Sequence, residues 1–161
     1  MLNDRVNVPD RVSCAALPAL AAAALLLGSP AAHAALGGPY ASIAADGTQL
    51  RAAIKVTPQA GYEVHALTLP SGTIVREYVS TSGVVFAVAW NGPSQPNLSA
   101  ILGTYFTDFQ SAAKASRGGR NRLDLERPDL VMQSGGHMRA FFGRAYLVAA
   151  VPSGLSTDEL R

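Results

Sequence analysis

Between residues 62 and 93 the chain alternates three β-rich runs with two short turns, and few folds accommodate that pattern. The first run, residues 62–69, ends at Pro70-Ser71-Gly72. The second, 73–79, is rich in β-branched residues and ends near Thr81-Ser82-Gly83. The third, 84–90, is closed by Asn91-Gly92-Pro93. Turns this short join antiparallel neighbours, so the three runs predict an antiparallel meander. The third run has no polar face: Val84, Phe86, Val88 and Trp90 alternate with Val85, Ala87 and Ala89. Such a strand belongs at the centre of a sheet, covered on both sides. The small residues of its second face predict the close approach of a helix.

A candidate for that helix follows directly. Asn97, just after Pro96, is a good N-cap. Leu98, Ile101, Leu102, Tyr105, Phe106, Phe109, Ala112 and Ala113 recur at the three-and-four spacing of one helical face. Gly103 lies off this stripe and weakens a helix by about 1 kcal/mol relative to Ala. A second, shorter helix is predicted over residues 42–53, with Gly47 in its middle. Leu36-Gly37-Gly38-Pro39 reads as a flexible lead-in, and residues 116–121 as an exposed loop. Further on, residues 130–133 form a short strand, Ser134-Gly135-Gly136 a turn, and residues 138–151 a long apolar strand with Gly143 as a bulge or bend. The tail, 156–161, suits a short helical turn. The sum is an α+β fold: an antiparallel β-sheet of about five strands, opening with the three-stranded meander, with one main amphipathic helix packed on it.

Composition matters chiefly at the N-terminus. The chain of 161 residues is 48% hydrophobic and only 15% charged, yet that bias is concentrated in residues 15–27, nearly all Ala and Leu. Arg5 and Arg11 precede this run, Gly28, Ser29 and Pro30 break it, and Ala32-His33-Ala34 follows as a small-x-small cleavage pattern. The arrangement predicts a cleavable secretory signal peptide over residues 1–34 and a single α+β domain over 35–161. The apolar run is shorter than the roughly 18–20 residues a membrane span needs, so no transmembrane segment is expected after cleavage. The expected destination is periplasmic or extracellular. Cys14, the one cysteine, lies in the leader. The mature domain therefore has no disulfide, thiolate metal site or thiol nucleophile. Roughly 125 residues remain, enough for a core without a staple. A net charge of +2 falls short of the concentrated basic face that nucleic acid requires.

Several stretches of the mature region, taken in order, carry a family likeness. They are Gly72-Thr73-Ile74-Val75-Arg76-Glu77-Tyr78-Val79, Val85-Phe86-Ala87-Val88-Ala89-Trp90-Asn91-Gly92-Pro93, Leu102-Gly103-Thr104-Tyr105-Phe106 and Ser134-Gly135-Gly136-His137-Met138-Arg139-Ala140. On these the chain resembles a family of small exported proteobacterial proteins known as domain of unknown function 2844. The resemblance implies no activity, cofactor or catalytic residue. The family pattern has Asp at the helix cap where this chain has Asn97, and both residues cap well.

Four residues form the candidate chemical constellation. His65 and His137 are the histidines of the mature domain, and Glu63 and Glu77 fall nearby on neighbouring strands. Alternation puts Glu63 and His65 on one strand face, as a metal site or an acid–base pair would need. No helical His-Glu-x-x-His or similar spacing accompanies them, and a solvated strand face with a turn histidine is the plainer account. Ser134-Gly135-Gly136-His137 lacks the Gly-x-Ser-x-Gly elbow and reads as a glycine hairpin. Lys114, Arg117, Arg120, Arg122 and Arg127 gather around the 116–121 loop as a candidate interaction surface, tempered by Asp124, Glu126 and Asp129. Arg76 and Glu77 point to opposite faces of their strand, so one is solvated and the other covered.

With no nucleophile motif, phosphate loop or strong metal constellation, the leading expectation is a non-enzymatic exported protein. It would bind another exported or cell-envelope component or contribute structure, with no cofactor and no nucleic-acid partner. One alternative is an envelope hydrolase or metal-binding protein using His65, His137, Glu63 and Glu77. Another is an inhibitor-like module that presents an exposed loop.

Overall fold

The protein's computed structural model describes residues 36–115 and 122–161. Its strands are β1 (Ala53–Gln59), β2 (Tyr62–Thr68), β3 (Ile74–Ser80), β4 (Val85–Gly92), β5 (Arg122–Glu126), β6 (Leu130–His137) and β7 (Ala140–Leu147). The helices are α1 (Ile43–Gln49), α2 (Leu98–Leu102) and α3 (Phe106–Ala115). The seven strands make one sheet in the order β1-β2-β3-β4-β7-β6-β5, and each neighbouring pair is antiparallel. Two meanders, β1 to β4 and β5 to β7, meet where β7 pairs with β4. The connection between them carries α2 and α3.

The α+β class is as expected, but among the described residues the sheet has seven strands and not about five. The two additional strands, β1 and β5, are its edges. Every residue of β1 is exposed, so burial leaves no clear apolar alternation in its sequence. Its Pro58 is tolerated because an edge strand need not donate on both sides. In β5, Leu123 and Leu125 are separated by charged residues and blend into the basic cluster. The helix predicted over 42–53 ends at Gln49, and β1 begins at Ala53. Ser134, Gly135 and Gly136 belong to β6, paired with Gly143, Phe142 and Phe141. The reversal lies one step later, at Met138 and Arg139, where Arg139 takes a φ of 67°.

The three-stranded meander forms as predicted by β2, β3 and β4, and residues 85–90 of β4 are all buried. A β-bulge rearranges its faces. Tyr78 pairs with Ala87 while Val79 pairs with Val85, which leaves Phe86 as the extra residue. Val85 thereby joins Val88 and Trp90 on one side, and Phe86 joins Ala87 and Ala89 on the other. Simple alternation assigned Phe86 to the wrong face for this reason.

The helices cover the Val85, Val88 and Trp90 face, where Leu98, Ile101 and Leu102 pack with Leu67, Val75, Leu130, Met132 and Ala145. The helix expected over residues 98–113 is broken. It turns through a 3₁₀ segment at Gly103–Tyr105, and Gly103 adopts φ 54° and ψ −124°. A side chain disfavours that backbone, so the glycine marks a break between α2 and α3. Asn97 caps α2 by accepting from the Ala100 N–H at 3.4 Å. The small face of β4 is covered by the C-terminal segment and not by a helix. Leu160 is buried there against Tyr78, Phe86, Ala87 and Ala89. The Tyr78 hydroxyl donates to the Arg161 carbonyl oxygen at 3.3 Å and accepts from the Arg161 N–H at 3.2 Å.

Two glycine-rich expectations change. Gly143 sits in regular register, with no bulge. A Cβ there would lie 2.2 Å from Trp90 Cζ2, so its role is to make room for the indole. The lead-in is held in place: Leu36 is buried, and Gly37 and Gly38 exchange backbone hydrogen bonds with Val85.

Candidate functional site

The acidic and histidine candidates divide between two places. Strand alternation puts Glu63 and His65 on the helix-covered face, and the β2–β3 register sets Glu77 opposite His65. Glu63 Oε2 accepts from His65 Nε2 at 3.3 Å, and the Tyr40 ring meets the imidazole edge-on at 5.4 Å. Here the burial is decisive: His65 is 2% exposed and Glu77 is fully buried. Desolvation, with the nearby Asp46 carboxylate of α1 as a second cause, pushes the Glu77 carboxyl up to about 8. Neither Glu77 oxygen has a hydrogen-bond partner among the described residues.

His137 ends β6 and is exposed at the far hairpin. Strands β3, β4 and β7 separate β6 from β2. The structure thus buries His65 and Glu77 beneath the helices, sets the exposed Glu63 beside His65, and leaves His137 elsewhere. Among the described residues no group of three or more His, Cys, Asp or Glu side chains is arranged to hold a metal ion. A cavity of about 400 Å³ beside β2 includes Glu63 and Tyr40 in its wall, but neither His65 nor Glu77. Asp46 was not anticipated as a member of this group, because its position depends on how α1 lies against the sheet.

The basic cluster is only partly described. Arg117 and Arg120 lie outside the described residues. Arg122 opens β5 and is exposed. Arg127 is exposed and engaged with two carboxylates, Asp129 at 2.9 Å and Asp108 of α3 at 3.2 Å. Hydrogen bonding and attraction to Arg127 hold Asp129 below its ordinary value. Arg127 therefore ties α3 to the segment after β5, and its charge is compensated locally.

A different site emerges on the sheet face away from the helices. Cross-strand pairing places Arg76 of β3, Ala89 of β4, Arg144 of β7, Gln133 of β6 and Asp124 of β5 in one row. The next row holds Ile74, Asn91, Phe142 and Gly135. Together with Asp158 and Arg161 of the C-terminal segment, members of these rows line a cavity of about 570 Å³. That volume falls within the range of roughly 300–1,000 Å³ seen for small-molecule sites.

Neutral groups orient the guanidiniums. Arg76 Nη1 donates to Asn91 Oδ1 at 3.0 Å. Arg144 Nε donates to Gln133 Oε1 at 2.8 Å and its Nη1 to the Thr157 carbonyl at 2.6 Å. Gln133 is itself fixed, donating to Asp124 at 3.2 Å. Arg76 has no carboxylate partner among the described residues, and Arg144 has only the largely exposed Asp158 at 3.8 Å. Beside them Phe142 is 59% exposed, unusual for a large apolar side chain in mid-strand. Alternation showed that Arg76 and Glu77 diverge, and here Glu77 is the covered one. The pairing of β4 with β7, which brings Arg144 and Phe142 to Arg76, has no local signal in the sequence.

Fold and site define an α+β protein whose antiparallel sheet is covered by helices on one face and carries an arginine-lined cavity on the other. The chain belongs to the family described as Protein of unknown function (DUF2844), whose model matches residues 32–160. No curated protein sequence and no solved structure matches it. No helix among the described residues is long and apolar enough to cross a membrane.

Proposed function

We propose that the protein is an exported, non-enzymatic binding protein of the cell envelope, and that the open sheet face is its binding surface. The observation that carries this reading is the cavity holding Arg76 and Arg144, two guanidiniums fixed by neutral acceptors at a solvent-accessible site. Charged groups held this way serve recognition better than stability, because their charge stays available to a partner. The Glu63, His65 and Glu77 group lends less support to the hydrolase or metal-binding alternative. His65 and Glu77 are buried beneath the helices, Glu63 is about half exposed, and the cavity beside β2 is walled by Glu63 but by neither of the other two.

Export rests on the leader pattern. Leu36, two residues beyond the expected cleavage point after Ala34, is already tied to α2 through its N–H to the Ile101 carbonyl. Removal of residues 1–34 would leave that anchor intact. The reading is tested by recovering the protein from its native host. N-terminal sequencing should find Ala35 first, and affinity capture from the cell envelope should retain a defined component. Met1 still attached to protein located in the cytosol would defeat it.

A further inference from the structure

The hydrogen-bonding inventory of the open-face cavity specifies the chemistry of what it holds. Asn91 Oδ1 is taken by Arg76, and Gln133 Oε1 by Arg144. The Arg76 Nε and Nη2, the Asn91 amide N–H groups and the Arg144 Nη2 make no other hydrogen bond within the described structure. All of these are donors, and Arg and amide N–H groups cannot reverse that role. A ligand with several acceptor oxygens satisfies them; a cation or an apolar molecule leaves them unpaired.

Charge narrows the class further. Of the two guanidiniums only Arg144 has a carboxylate in ion-pair range among the described residues, Asp158 at 3.8 Å, and that side chain is 91% exposed. Arg144 is 24% exposed and so partly desolvated, which strengthens its attraction for an anion. Guanidinium forks match the paired oxygens of carboxylate and phosphate. Phe142 supplies an exposed ring face next to them, and a ring held against it would shield apolar surface otherwise left in water.

Building on the binding reading above, we propose that this cavity binds an acidic saccharide: a sugar ring carrying a carboxylate or phosphate. Arg76 and Arg144 meet the anion, Asn91 donates to ring hydroxyls, and Phe142 packs against the ring's C–H face. The carboxylate of a uronic acid and the phosphate of a sugar phosphate present the same acceptor chemistry to the guanidiniums, and the two are separated by experiment.

The test is titration of the purified protein with three probes, glucuronic acid, glucose 6-phosphate and glucose, followed by calorimetry and by NMR of the β3 and β7 amides. The expected result is binding of at least one acidic probe, weakened by added salt, with amide shifts around Arg76 and Phe142. Glucose should bind at least about tenfold more weakly. Arg76→Gln keeps a hydrogen-bonding side chain and should lose about tenfold in affinity for the acidic probe. Phe142→Ala removes an exposed side chain and should weaken it as well. Arg144→Gln also severs the Thr157 contact, so Arg76→Gln and Phe142→Ala are the decisive variants. A stronger response to glucuronic acid assigns the carboxylate source, and a stronger response to glucose 6-phosphate the phosphate. Equal binding of glucose, or no response to either acid, overturns the proposal. If envelope capture succeeds equally with wild type and Arg76→Gln, the binding reading stands and this assignment of the cavity falls.

Discussion

His65 and Glu77 stand opposite one another on β2 and β3, both buried beneath the helices. Their surroundings are what an ionised carboxylate tolerates least: low dielectric, with a second carboxylate, Asp46, nearby. A proton on Glu77 removes that cost, which is why its carboxyl is displaced so far upward.

Stability should therefore depend on pH through Glu77. Its folded value of about 8 lies above the ordinary 4.5. Between those values the native protein retains a proton that the unfolded chain has released. The contribution is complete below about 4.5 and is lost as pH rises toward 8, with a limiting slope of about 1.4 kcal/mol per pH unit. Glu77→Gln preserves shape without a titrating group. Urea midpoints measured from about pH 5 to 8 should fall for the wild type more steeply than for the variant. Parallel curves would show that Glu77 is not responsible.

Gly143→Ala should destabilise the sheet junction. The added methyl would lie 2.2 Å from Trp90 Cζ2 and 2.8 Å from the Gln133 carbonyl oxygen. Backbone and a large buried ring both resist displacement, so a loss of about 1–3 kcal/mol is expected. Trp90 is the only tryptophan, so its fluorescence reports the change directly, alongside a lowered melting temperature.

At Gly103 the sign of the effect discriminates between two structures. In a continuous helix, Gly→Ala would stabilise by about 1 kcal/mol. At φ 54° and ψ −124° the same change should instead cost about 1–3 kcal/mol, because alanine avoids that region. Chemical denaturation of Gly103→Ala decides the matter, and a stabilised variant would mean that α2 and α3 run on as one helix.

Tyr78→Phe should loosen the C-terminal cover. The hydroxyl bonds both the N–H and the carbonyl of Arg161, while the ring stays in its apolar cluster. A modest cost of about 0.5–1.5 kcal/mol is expected. Hydrogen exchange should accelerate at the amides of residues 157–161 more than in β4. Unchanged protection there would show that Leu160 alone secures the segment.

Much of the protein was legible in its residues because the relevant physics is local. Turn chemistry at Ser71-Gly72 and Ser82-Gly83 announced the meander, the unbroken apolar run of β4 announced a central strand, and Asn97 announced a helix start. Alternation alone established that Arg76 and Glu77 diverge. Edge strands were hidden, since a strand such as β1 with every residue exposed carries no burial period. The break at Gly103 was hidden too, because one glycine looks alike inside a helix and between two.

Tertiary structure decided the rest, for a reason of distance along the chain. The bulge at Phe86 reversed one side chain's face by one inserted residue, which only the pairing with β3 reveals. Asp46 comes near Glu77 because α1 lies on the sheet, and Arg144 comes beside Arg76 because β7 returns to pair with β4. Composition and periodicity determine which residues seek burial and which local shapes they favour. Which distant strands become neighbours depends on contacts throughout the core, and that pairing assembled the arginine-lined cavity.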